Sequence, residues 1–350
     1  MPRTTIKDVA KDAGVSAATV SYVMNAKESE SISPETIARV MKSVSKLGYI
    51  PNQAARTLGS PRAIGKWRSN MIGVLIPQTE PGKAFMFSNP FYGDFLSSVE
   101  YTARINGYHL LVSGTDVDQS YVEIAKSRSL DGIIILGIFP STDLEEYKKS
   151  KIPTVLVDCY DTDHFFHSVR INDRHGGYMA TQYLIEHGHT RIAYVTGAVE
   201  ETGVNQMRLQ GYKDALKESD IAFDEALVYH GDVSYQFGIA AVKEIVRPEL
   251  GVTAAFASAD IIALGLLKGF QQAGLQVPED ISLIGFDDIY TASICSPSLT
   301  TVHQDIFEKG KVAAEIVIAA ANDSKISKRE VTIPISVIER DSVRKNRKAR

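Results

Sequence analysis

The stretch TIKDVAKDAGVSAATVSYVMN, Thr5–Asn25, decides how the first part of the chain folds. Thr5 stands where a helix N-cap is needed, and Ile6, Val9, Ala10 and Ala13 follow with helical spacing. Gly14 permits a tight turn. Ser16 is a second N-cap, and Val20 with Val23 or Met24 forms the inward face of a second helix. Ala17, Ala18, Ser21 and Tyr22 are left facing outward near its start. Further on, Ser33 caps a third helix with Pro34 at its first position. Ile37, Val40, Met41, Val44 and Leu47 form its apolar stripe, and Gly48 ends it. Two short helices joined by a tight glycine turn and followed by a third describe a helix-turn-helix, whose second helix enters the DNA major groove. A three-helix protein-interaction module is the alternative.

Charge agrees with the DNA reading once it is resolved along the chain. The 350 residues carry a net −4, which taken whole speaks against nucleic acid. Residues 1–70 hold +6, residues 71–339 hold −15 and residues 340–350 hold +5. A basic head is the footprint of a phosphate-contacting module. The 44% apolar and 23% charged content excludes disordered, collagen-like and rod-like chains. Cys159 and Cys295 are too few for a disulfide framework. Lys7, Asp8, Lys11 and Asp12 interrupt any signal-peptide stretch, and the longest apolar run, Ile133–Phe139, is far short of a membrane span. A cytoplasmic protein with no membrane partner is expected.

From residue 71 the pattern changes. Short apolar runs at Ile72–Ile76, Leu110–Ser113, Gly132–Ile138, Thr154–Val157, Ile192–Thr196, Val252–Ala257 and Ile281–Phe286 read as buried strands. Helical stretches alternate with them: one carrying Phe95, Val99 and Ala103, then about Arg174–His187, Gln206–Ser219, Gln236–Val246 and Asp260–Ala273. The fold class is therefore α/β, with parallel sheets flanked by helices and ligands bound at the strand carboxyl ends. No phosphate-binding glycine loop, zinc motif or nucleophile elbow occurs, so neither cofactor nor metal is expected. His187 and His189 flank Gly188 at a helix end, where a capping role outweighs a metal site. Asp287-Asp288 has no partner base or nucleophile, so the chain does not read as an enzyme.

Thr5–Asn25 together with GYIPNQAARTL, Gly48–Leu58, resembles the headpiece and hinge of the lac repressor (LacI/GalR) family of bacterial transcription regulators. The resemblance continues through IGVLIP, NPFYGDFLSSVE, DGIIILG, YLIEHGHTRIAYVTG, RLQGYKDAL, DISLIGFDD and PSLTTVHQD. It implies a helix-turn-helix headpiece at 1–59 with a hinge helix at about 52–58, and a linker at 60–70. It implies an effector-binding and dimerisation domain at 71–339, followed by a basic tail at 340–350 that is expected to be disordered. That domain would hold two flavodoxin-like α/β subdomains of the periplasmic-binding-protein type I, joined by crossovers near 168–171, 299–303 and 323–331.

The resemblance also assigns roles. Ser16, Thr19, Ser21 and Asn25 would make mostly phosphate or positioning contacts, Thr5 joins them among the DNA-binding residues, and Ala17, Ala18 and Tyr22 would read bases. Asn52, Ala55, Arg56 and Leu58 would form the minor-groove hinge helix, with Leu58 as the kinking wedge. Asn89, Phe91 and Tyr92 would wall the effector cleft, with Asp158, Arg208, Asp287 and Gln304 as its polar anchors. The sequence departs from sugar-binding members at Val233 and Ala259, where many carry an aromatic residue and an asparagine. No apolar heptads end the chain, so a homodimer is expected. The expected function is a repressor that binds double-stranded operator DNA and responds to a small sugar-like effector. A soluble ligand-binding receptor of the same α/β fold is the alternative.

Overall fold

The computed structural model describes residues 4–24, 32–49, 68–77, 86–115, 120–137, 141–160, 164–199, 203–323 and 326–346. Asn25 and the expected hinge helix lie outside the described residues. The chain forms two compact units, Met1–Ser69 and Asn70–Arg350.

The first unit holds α1 (Ile6–Ala13), α2 (Ala17–Met24) and α3 (Pro34–Leu47). Their boundaries follow local chemistry. Thr5 and Asp8 form a reciprocal capping box at α1, Gly14 takes φ 65° after it, and Ser33 caps α3. Val9, Ala10, Ala13, Val20 and Val40 are buried together as the core, with Val44 and Leu47 packed against it. The apolar stripe of α3 predicts Ile37 and Met41 in that core, yet they are 42% and 49% exposed. The buried face of α3 is narrower than its sequence suggests: Val40, Val44 and Leu47 recur at i, i+4, i+7, and the other two are rotated off it. Ala17 likewise is not fully outward. It lies three residues before Val20, on the adjacent helical face, and is packed against the core.

The second unit contains two six-stranded sheets. The first is built from β1 (Met71–Pro77), β2 (His109–Thr115), β3 (Gly132–Leu136), β4 (Thr154–Val157), β5 (His167–Arg170) and β11 (Glu330–Thr332). Its order is β11-β5-β4-β3-β1-β2, all parallel. The second holds β6 (Ile192–Gly197), β7 (Val228–Gly231), β8 (Ala254–Ala257), β9 (Ser282–Asp287), β10 (Thr300–Gln304) and β12 (Ile335–Ile338). Its order is β12-β10-β9-β8-β6-β7, with only the β10–β12 pair antiparallel. Helices flank both sheets: α4 (Pro90–Ile105), α5 (Tyr121–Ser127), α6 (Ser141–Ser150), α7 (Asp173–Glu186), α8 (Val204–Glu218), α9 (Tyr235–Ile245), α10 (Asp260–Gln272), α11 (Tyr290–Ile294) and α12 (Ile306–Asn322).

Alternate side chains of one strand feed different apolar layers. Ile134 and Leu136 enter one cluster and Ile133 and Ile135 another, and Val155 and Val157 separate from Leu156 in the same way. That period of two explains why the central strands read as unbroken apolar runs.

Three connections pass between the sheets, the first about where expected and the other two slightly later. The first follows β5 and leads through Ile171 and Asn172 into α7. The second comes after Gln304, because 300–304 is itself a strand paired with β9. The third is Ile333-Pro334 between β11 and β12, where proline cannot donate to a ladder and so ends the first sheet. The C-terminal segment also differs from expectation. Residues 340–346 are part of the fold: Ser342 is fully buried, its hydroxyl donates to Leu283 O at 2.6 Å and accepts from Thr300 N at 2.8 Å.

Candidate nucleic-acid interface and effector cleft

In the first unit, Ser16 caps α2 by accepting from Thr19 N at 3.0 Å, and the two hydroxyls lie 2.9 Å apart. Ala18 is exposed and Tyr22 is 54% exposed on the same helix, with Ser21 half-buried beside them. Thr5 is occupied by its cap, its hydroxyl donating to Asp8 at 2.7 Å. The start of α2 thus presents a methyl group, a phenol ring and small hydroxyls to solvent. Behind it, Ser43 and Lys46 fix Asp12 at 2.8 and 2.7 Å, which ties α3 to α1. The side chains exposed on α2 and those that hold the helices together are thus different residues.

In the second unit, Asp158, Asp287 and Gln304 all stand at strand carboxyl ends, following β4 or ending β9 and β10. Gln304 Nε2 donates to Asp287 Oδ1 at 2.6 Å. Arg208, on α8, donates from Nε to Asp173 Oδ1 at 2.8 Å and from Nη1 to Ser258 O at 2.5 Å. Its guanidinium lies 3.7 Å from the Phe286 ring centroid, and Nη1 is 3.7 Å from Asp287 Oδ1. Two glycines make this approach possible. A Cβ at Gly177 would sit 2.2 Å from Arg208 O, and one at Gly211 would sit 2.0 Å from Arg174 O. Only backbone-to-backbone contact between α7 and α8 brings Arg208 beside Asp173.

The first sheet contributes Lys309, from the first turn of α12. It is fully buried, donates to both oxygens of Asp158 at 2.6 and 2.8 Å, and also donates to Gln304 Oε1. Tyr160 closes the other end by donating to Asp173 Oδ2 at 2.7 Å. One connected path therefore runs Asp158, Lys309, Gln304, Asp287, Arg208, Asp173, Tyr160 across both sheets.

Burial governs the ionisation of these groups. It pushes the Asp287 carboxyl up to about 6 despite the opposing pull of Arg208, Gln304 and Lys309. Asp158 is raised by burial against the pull of Lys309. Tyr92 is raised by burial and then by the charges of Asp158 and Asp287. For Arg208, burial works against the charge, but Asp173 and Asp287 outweigh it and the pKa rises.

Of the sequence-derived cleft residues, Asp158, Arg208, Asp287 and Gln304 are joined directly through this path. Phe91 is buried, with Lys309 Nζ 5.6 Å from its centroid, and packs edge-on against Tyr92 at 5.7 Å. Asn89 caps α4, its side-chain oxygen accepting from Phe91 N at 3.1 Å. Sequence reading missed Lys309, Asp173 and Tyr160. Lys309 had a signal, since it shares one face with Ala313, Ile316 and Ala320, a lysine within an apolar stripe. Asp173 stands just before the helix read from sequence at about Arg174–His187 and carried no such signal.

Residues 5–52 match the bacterial regulatory proteins of the lacI family, and residues 181–343 match a periplasmic binding protein-like domain. The chain is 34% identical over 347 residues to the HTH-type transcriptional repressor PurR of Vibrio vulnificus, covering 97% of this chain and 99% of that protein. Among solved structures it resembles the transcriptional regulator CelR–cellobiose complex, with TM-score 0.71, 27% identity, and coverage of 97% of this chain and 100% of that one. It shares its fold with the lac repressor dimer bound to operator and the anti-inducer ONPF, with TM-score 0.81, 24% identity, and coverage of 98% and 100%. With a capped helix-turn-helix ahead of two crossed-over α/β sheets, the chain belongs to the lacI family of DNA-binding transcriptional repressors.

Proposed function

We propose that this repressor binds a pseudo-palindromic operator as a homodimer and responds to a small sugar-like effector held between its two sheets. The observation that carries the reading is the buried polar path from Asp158 to Tyr160. Burying so many ionisable groups is costly unless they are paired, and here they gather at strand carboxyl ends, where open α/β sheets bind ligands. Fixed ion pairs and amide contacts suit recognition of hydroxyl groups rather than catalysis. The sugar complex of the relative CelR supports the effector class.

On the DNA side, Ala17, Ala18 and Tyr22 are assigned to base edges and Thr5, Ser16, Thr19, Ser21 and Asn25 to the backbone. The exposed methyl of Ala18 suits apolar contact with a thymine methyl group. Asn52, Ala55, Arg56 and Leu58 are assigned to a hinge helix that wedges the minor groove, a role that rests on the resemblance. Effector binding would alter the arrangement of the two sheets and so bias the paired hinge segments. A twofold operator needs two headpieces, and so two copies of the chain. No described helix is long and apolar enough to cross a membrane.

A gel-shift assay with genomic fragments tests the reading. At least one fragment should bind far more tightly than random DNA, and sugar-containing metabolite extract should change that binding. Uniform weak binding to every fragment would sink it.

A further inference from the structure

The cleft holds more acid than base. Asp158, Asp173 and Asp287 face two cations, Lys309 and Arg208. Asp260 adds a fourth buried carboxyl nearby, raised chiefly by burial and accepting from Thr301 Oγ1 at 2.6 Å and Ile289 N at 3.0 Å.

Lys309 is fully engaged, whereas Arg208 has hydrogen-bond partners among the described residues for only two of its five N–H groups. An ammonium has three N–H groups, and those of Lys309 go to Asp158 Oδ1, Asp158 Oδ2 and Gln304 Oε1. Lys309 therefore offers no donor to an anionic ligand. It acts as a positioning residue instead. Because Lys309 only donates, the Gln304 amide must turn its oxygen toward it, which points Nε2 at Asp287 Oδ1. Arg208 gives its Nε to Asp173 and one Nη1 bond to Ser258 O, and stays 3.7 Å from Asp287.

Asp287 is left as the carboxylate without a full partner. It is only 4% exposed, and its Oδ2 receives no hydrogen bond from the described residues. Its φ of 117° lies where glycine is favoured, so its backbone is held in a strained conformation at the cleft. A neutral hydroxyl reaching Oδ2 would fill a lone pair and leave the charge uncompensated. A cation does both. Tyr92, packed edge-on against Phe91 beside Lys309, is an aromatic side chain of the kind ammonium groups favour.

We propose that the cleft takes an effector presenting a protonated amine to Asp287, so that its ligand class is the amino-substituted sugars. This rests on the reading of the cleft as the effector site.

The test is isothermal titration calorimetry of the full chain at neutral pH with matched ligands. Glucosamine, galactosamine and mannosamine are each compared with the parent hexose, the N-acetyl form and the corresponding uronic acid. At least one amine should bind about tenfold or more tightly than its three counterparts, a gap of roughly 1.4 kcal/mol. In Asp287→Asn, checked for folding by its melting curve, that preference should vanish. Equal or tighter binding of the hexose or uronate, a preference that survives Asp287→Asn, or no binding of any amine overturns the proposal. The wild-type comparison stands even where the variant folds poorly. A gel shift on the same protein separates the two failures: operator binding that responds to a neutral sugar keeps the proposed function and removes the amine.

Discussion

The start of α2 and the cleft both display polar side chains, but water treats them differently. Ser16, Ala18 and Tyr22 stand in solvent and have few protein partners to lose. Arg208, Lys309, Asp173 and Asp287 are almost wholly buried and hold one another. The contrast separates function from stability. A solvent-facing surface can change without unfolding the domain, whereas changing a member of a buried network also disturbs the fold.

The largest break in that contrast is Arg208→Met. It leaves Asp173 and Asp287 buried without their cation, and breaking a buried pair in this way costs about 3–5 kcal/mol. The core-domain melting temperature should fall markedly and the effector response should disappear. An unchanged melting curve would show that the two carboxylates do not depend on Arg208.

Lys309→Met makes a similar cut from the other sheet, with Asp158 as the orphan. The sharper version is the pair Lys309→Met with Asp158→Asn, which removes both charges together. The single variant should lose about 3 kcal/mol or more and the pair should recover much of it, since replacing both ends of a buried pair is far gentler than removing one. Denaturant melts of the three proteins decide this. Additive losses would show that the two residues do not act as a pair.

The same contrast explains what the sequence made legible. In the headpiece, caps and turns are contacts between residues three or four apart, so Thr5, Gly14, Ser16 and Ser33 announced their elements. The central strands announced themselves because both faces are buried. Peripheral strands such as β5 (HSVR), next to the edge strand β11, and β7 (VYHG), at the edge of its sheet, are only partly buried and carry little apolar signal. In the cleft, Arg208 and Asp173 are 35 residues apart and Lys309 and Asp158 are 151 apart, so no local pattern pairs them. Resemblance supplied Asp158, Arg208, Asp287 and Gln304, but Lys309 and Tyr160 emerged only when the two sheets were in place.

On the exposed side, Tyr22→Ala should leave headpiece stability within about 0.5 kcal/mol, as surface substitutions usually do. Specific operator binding should weaken by about 1–3 kcal/mol, the usual size of a lost base contact, while binding to random DNA changes little. Titrations against both DNAs, beside a thermal melt, check this. A large loss of stability would mean that Tyr22 supports the fold and does not read bases.

The smallest effect is a pH dependence confined to the buried side. Asp287 is faced by Arg208, Lys309, Gln304, Asp158 and Asp260, and its carboxyl is raised from 3.8 to about 6 in the folded chain. A raised carboxyl means that the folded state holds the proton more tightly than the unfolded state. Its contribution is therefore fully present below about pH 3.8 and is lost as pH climbs through about 6. Asp287→Asn removes this titration while keeping the shape of the group. Relative to that variant, the wild type should become less stable between pH 4 and 6 and run parallel above it. A wild-type-minus-variant melting difference that stays flat across that window would mean that Asp287 is already fully compensated when ionised. The charge imbalance that separates the cleft from the solvated headpiece face would then be absent.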